Sequence, residues 1–210
     1  MNGVINMQLQ DLIELQAGEV VSRLAKHGEI GETGDYRIYD KQVFTFEAGS
    51  FDESDKARFI SFNDGSQESR IVKAGDGIIS ILSSEMSVSM GHDEAGAPLM
   101  LTSNFMIVRP KMENVLDMYY LAFWFNNDDE ALRQLQLAGE VSSTLIKRLN
   151  VKQIKGLEIT LPDIETQRAI GAMYAAELTR NRAAEERTKV SHLVAMEEIR
   201  QINENVKGNN

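Results

Sequence analysis

Apolar positions recur along this chain with two periods, and the changes of period mark its elements. In LQDLIELQA the apolar residues Leu9, Leu12 and Ile13 predict a short helix over 8–16, ended before Gly18. The Gly-punctuated run to Asp35 reads as an exposed loop. YRIYDKQVFTF, ARFISF, the run from Gly77 to Leu82 and LTSNFMIVRP carry the β-branched and aromatic residues of strands, with Pro110 closing the last. NVLDMYYLAFWF returns to helical spacing, with Asn114 as its expected N-cap. DDEALRQLQLA predicts a second helix, stopping before Gly139. A short helical stretch and a strand, Leu157–Leu161, follow. Strands and helices mix without a βαβ repeat, which predicts an α+β fold.

From Asp163 onward the pattern changes scale. Between Ile164 and Val206 there is no proline and one glycine, Gly171, so Asp163 is expected to cap a single helix. Roughly 44 residues at 1.5 Å each make a rod about 65 Å long. Its apolar residues gather at two ends, and TRNRAAEERTK between them is polar nearly all round. That pattern predicts a solvated spacer docked at each end. Leu178, Val190, Leu193, Ile199 and Ile202 are the expected dimer or partner contacts, rather than a hairpin folded back on its own domain.

Composition narrows the chemistry. The 210 residues contain no cysteine, which removes disulfides, Cys metal sites and thiol nucleophiles. His27, His92 and His192 are far apart, and none sits in a zinc-protease pattern. GHDEAG at 91–96 reads as a turn with solvated acids, and AGDGIIS as a turn entering a strand. No nucleotide loop, methyl-donor loop or nucleophile elbow is present. The expectation is a non-catalytic protein with no metal and no cofactor. The start MNGVINMQLQ lacks a signal-peptide pattern and no apolar run has membrane-spanning length, so a cytoplasmic location is expected.

Charge argues against a simple nucleic-acid binder. The net charge is −10; residues 1–162 carry 15 Lys and Arg against 24 Asp and Glu. Phosphate affinity would have to come from local patches. The densest is Ser142, Ser143, Thr144, Lys147 and Arg148, three hydroxyls and two cations within seven residues; Arg23, Lys26 and Lys41 are further candidates. Tyr119, Phe123 and Trp124 could stack on bases, but their spacing fits a core face.

The linear order of these pieces carries a resemblance. LQDLIELQAGEVVSR, IVKAGDGIISI, LTSNFMIVRP, an aromatic helix and SSTLIKRLNVKQIKGLEITLPDIETQRAIGAMY closely resemble one half of the specificity subunit of type I restriction–modification systems. Gly75-Asp76, Leu161-Pro162, Gln167 and Ile170-Gly171 sit at matching places, and the likeness covers essentially the whole chain. It implies a DNA target-recognition domain over 1–162, a spacer and dimerisation helix over 163–207, and a short disordered tail over 208–210. Members commonly hold two recognition domains and two helices in one chain, and this chain holds one of each. The likeness therefore implies a homodimer that rebuilds the whole, reading double-stranded DNA as an inverted repeat. The implied partners are an adenine methyltransferase subunit, which uses S-adenosylmethionine, and a restriction subunit. A coiled-coil scaffold or regulatory half-subunit that binds proteins without reading DNA is the alternative, and the acidic charge favours it.

Overall fold

The computed structural model describes residues 5–50, 56–62, 70–140 and 148–208. The elements are β1 (Ile5–Gln8), α1 (Leu9–Leu12), β2 (Ile13–Ala17), α2 (Val21–Leu24), β3 (Gly28–Gly31), β4 (Tyr36–Tyr39), α3 (Lys41–Glu47), β5 (Phe59–Phe62), β6 (Ile71–Val72) and β7 (Gly77–Ser80). They continue with β8 (Glu85–Val88), β9 (Leu99–Leu101), β10 (Phe105–Pro110), α4 (Met118–Asn127), α5 (Asp129–Glu140), α6 (Val151–Lys155), β11 (Glu158–Leu161) and α7 (Ile164–Gly208).

Two sheets are stacked, and the side-chain period of the strands decides how. The four-stranded sheet runs β2-β10-β7-β8 and the five-stranded sheet β3-β5-β4-β9-β6; β1 and β11 form a separate antiparallel pair. All pairings are antiparallel except β4 with β9. Successive residues point to opposite faces of a strand. Accordingly Ile79, Met106 and Val108 face a core built with α4, while Ile78, Phe105 and Ile107 face a second core shared with Tyr39, Leu99 and Leu101 of the other sheet. Ile38, Ile60 and Met100 face a third cluster capped by Leu24 of α2. Burial on both faces explains why these strands read as unbroken apolar runs. The architecture is the expected α+β class, with short helices around mixed sheets and one long terminal helix.

Several boundaries differ from the sequence reading, each because a longer-range partner overrides a local preference. The expected helix over 8–16 keeps one turn, then becomes β2, because β10 offers a ladder from Ile13↔Pro110 to Ala17↔Met106. YRIYDKQVFTF is not one strand. Asp40 accepts the Val43 N–H at 3.2 Å and starts α3, whose Phe44 and Glu47 point inward. LTSNFMIVRP splits into β9 and β10 around a turn at Thr102–Asn104. The loop expected over 19–35 contains α2 and β3, and β8 had no counterpart in the sequence reading. Asp117, not Asn114, caps α4, accepting from the Tyr120 N–H at 2.9 Å.

The aromatic helix is core as expected: Trp124 and Tyr120 are buried, and Phe123 packs edge-on against Tyr174 of α7. Asp93 in GHDEAG turns the chain, accepting from the N–H groups of Ala95 and Ala97. No helix among the described residues is long and apolar enough to cross a membrane.

Candidate nucleic-acid interface

The Thr102–Asn104 turn gathers strand ends that are distant in sequence. At this end of the sheets β2 finishes at Ala17, opposite Met106, and β7 at Ser80, opposite Phe105. Here too β4 finishes at Tyr39, opposite Leu101, and β6 begins opposite Met100. The turn binds them together. Glu19 N–H donates to Leu101 O and Ser103 N–H to Glu19 O; the Thr102 hydroxyl donates to Tyr39 O at 2.8 Å; Ile81 N–H donates to Asn104 O. Leu149 N–H reaches Ile81 O from the far side.

Most of the described candidates for DNA contact hang from these strand ends. Arg23 lies on α2, just past β2, with Lys26 in the turn after it; both are exposed. Lys41 is the exposed first residue of α3, two residues beyond β4. Arg148 is exposed beside Leu149, and carries no ion pair among the described residues. Ser142, Ser143, Thr144 and Lys147 lie outside the described residues. Positions 141–157 hold four Lys and Arg and no acid, the opposite of the chain as a whole.

Arg70, absent from the sequence reading, completes the rim. Glu19 sits between two guanidiniums, 3.1 Å from Arg70 and 3.3 Å from Arg23. The Val20 N–H, then Arg70 and Arg23, hold its carboxyl below the ordinary range. Its carboxylate orients two guanidiniums, groups whose donors suit phosphate oxygens. Arg70 could be found only through the pairing of β6 with β9, which no local pattern announces.

The motif residues behind the resemblance lie elsewhere and do structural work. Asp76 precedes β7, at the end away from the turn. It accepts Nε and Nη2 of Arg109 at 2.8 and 2.6 Å, and the Lys73 N–H at 2.8 Å. Gln167 is 1% exposed in the first turns of α7, donating to Pro162 O and Val115 O and accepting from the Asp117 N–H. At Gly171 a Cβ would stand 2.3 Å from Asp117 Oδ1 and 3.0 Å from Tyr120 N, so only glycine lets α7 lie this close to α4.

The model of the type I restriction modification DNA specificity domain matches residues 1–175. The chain belongs to this family. The specificity-domain fold recurs in solved structures at low identity. The HsdS subunit from Thermoanaerobacter tengcongensis has a TM-score of 0.53 and 17% identity over 89% of this chain and 40% of that one. The S subunit from M. genitalium gives 0.52 and 12%, over 82% and 38%. A chain from a structure of type I R-M complex assembly and conformational transition gives 0.55 and 16%, over 95% and 44%. The chain thus spans less than half the length of each. No curated relative matches it.

The helix residues expected to contact a partner divide into two groups. Leu178 is half-buried against Gly49 of its own domain. Val190, Leu193, Ile199 and Ile202 are 55–65% exposed, and Val194 and Met196 nearby are 54% and 46% exposed. The polar middle is not wholly a solvated bridge either, because Arg182 and Glu185 bond to residues of the domain.

Proposed function

We propose that the chain is a non-catalytic DNA specificity subunit of a type I restriction–modification complex. Each copy reads one half-site through the rim around Thr102–Asn104. Arg23, Lys26, Lys41, Arg70, Lys147 and Arg148 hold phosphates, and Ser142, Ser143 and Thr144 supply hydroxyls to phosphate or base edges. Two copies join through the distal part of α7 and read an inverted repeat, since site symmetry mirrors protein symmetry. The dimer directs an adenine methyltransferase, and a restriction subunit, to that site. The target base leaves the stack within the methyltransferase, so this chain's part is to present the duplex.

The observation that carries this reading is the helix. It continues some thirty residues beyond the matched region and ends in uncovered apolar side chains. A protruding helix with exposed apolar side chains suits contact with another helix. The net charge of −10 favours a second reading, a regulatory half-subunit that binds protein partners without reading DNA.

Sequencing of methylated adenine across the host genome, with and without the gene, separates the two. Disappearance of a bipartite inverted-repeat motif on deletion supports the first. An asymmetric motif that disappears would keep the function and reject the homodimer. An unchanged motif set, with the methyltransferase active, would overturn the recognition role.

A further inference from the structure

Among the described residues, two groups of contacts hold the long helix to its domain. The first is the Gln167–Gly171 seat on α4. The second, about 11 residues and 16 Å further along, is the corner that follows α3. There the Arg182 guanidinium lies 4.2 Å above the Phe46 ring and donates to Phe46 O at 3.2 Å. The Ser50 hydroxyl donates to Glu185 at 2.7 Å. Gly49, at φ +86°, brings its backbone against Leu178, where a Cβ would stand 2.9 Å from Leu178 Cα.

The corner has a rigid base. Ala48 N–H bonds Phe44 O, Gly49 N–H bonds Phe46 O and Ser50 N–H bonds Thr45 O. Behind it the buried Glu47 carboxylate accepts from the hydroxyls of Tyr39, on the five-stranded sheet, and Ser89, just past β8 of the other sheet. Its charge also attracts Arg182. Both sheets and the helix therefore meet at one point.

We propose that this corner is a clamp that fixes the angle at which α7 leaves the recognition domain, and thereby the spacing between half-sites. Arg182, Phe46 and Gly49 are then positioning residues for specificity, at the opposite end of α3 from Lys41 of the rim. The inference rests on the reading of α7 as the spacer of a dimer. From Arg182 to the end of the helix is about 39 Å, so a swing of about 5° moves its far end by about 3.4 Å, the rise of one base pair. A small change of angle at this corner is thus enough to matter, and its contacts are local enough to test.

The test uses the complex assembled with its methyltransferase and a DNA library in which the two half-sites are separated by spacers increasing one base pair at a time. The parent should methylate a narrow set of spacers. Arg182→Ala should keep the half-sites and broaden that set, lowering discrimination between adjacent spacers about tenfold. Arg182→Lys, which keeps a cation over Phe46, should restore most of it. If the alanine variant fails to assemble, Ser50→Ala removes only the outermost bond and answers the same question. A parent-like spacer profile in the alanine variant that assembles overturns the clamp and leaves the specificity reading intact. A parent complex that methylates no bipartite site overturns the reading beneath it.

Discussion

Replacing Gln167 by alanine tests the claim that the junction residue is a structural anchor rather than a DNA contact. Its amide donates to Pro162 O at 2.9 Å and Val115 O at 3.1 Å, and accepts from the Asp117 N–H at 3.1 Å, in a place closed to solvent. Truncation leaves two carbonyls and one N–H without partners. Each unsatisfied buried group costs about 1–3 kcal/mol, and carbonyls sit at the softer end. Because neighbouring losses do not add fully, about 3–4 kcal/mol is expected for the set. At roughly 2–4 °C per kcal/mol for a chain of this size, the melting temperature should fall by about 6–16 °C.

Urea unfolding of the purified protein, followed by circular dichroism, measures the loss directly. A decrease below about 1 kcal/mol would refute the anchoring argument. Gln167→Glu supplies a second, opposite-signed check. The introduced carboxylate would face two carbonyl oxygens without solvent, so burial raises its folded-state pKa above the unfolded value. Any compensating stability is present at low pH, where the acid can donate, and is lost as pH rises through the folded value.

Other substitutions probe separate parts of the molecule. Burial raises the Glu47 pKa, so parent stability should decline as pH climbs from the ordinary glutamate range through the raised value; Glu47→Gln should flatten that slope in urea titrations, and an unchanged slope would contradict the assignment. Lys147→Glu with Arg148→Glu should weaken DNA binding by the assembled complex and lower the slope of log affinity against log salt by about 2; unaltered binding would remove the 142–148 segment from the contact surface. Leu193→Ser combined with Ile199→Ser should convert the proposed dimer to monomer in sedimentation velocity, and a persistent dimer would move the interface elsewhere.

The parts legible in the sequence were those with a local physical signature. Asp163 followed by an uninterrupted run announced α7, and the Thr166 N–H does bond Asp163 at 3.0 Å. The helical spacing of Tyr120, Trp124 and their neighbours announced a core helix. Where one local pattern fitted two structures, the reading failed. Tyr, Ile, Val and Phe around Asp40 suit strand and helix alike, and only the Asp40 cap separates β4 from α3. The Thr102–Asn104 turn has no glycine or proline to mark it, yet it organises the candidate interface. Sequence patterning places Arg182 in a solvated stretch because its partner Phe46 lies 136 positions away. No periodicity can report a contact at that distance.

The exposed apolar residues of α7 have a winding that limits what can cover them. Val190, Leu193, Met196, Ile199 and Ile202 follow one another at intervals of three. A helix turns about 100° per residue, so each such step falls about 60° short of a full turn. Over four steps the stripe precesses by about 240° around the rod. One straight neighbouring helix covers an arc of about 100°. A single straight neighbour, an antiparallel copy of the same helix included, would shield part of the spiral and leave the remainder facing outward.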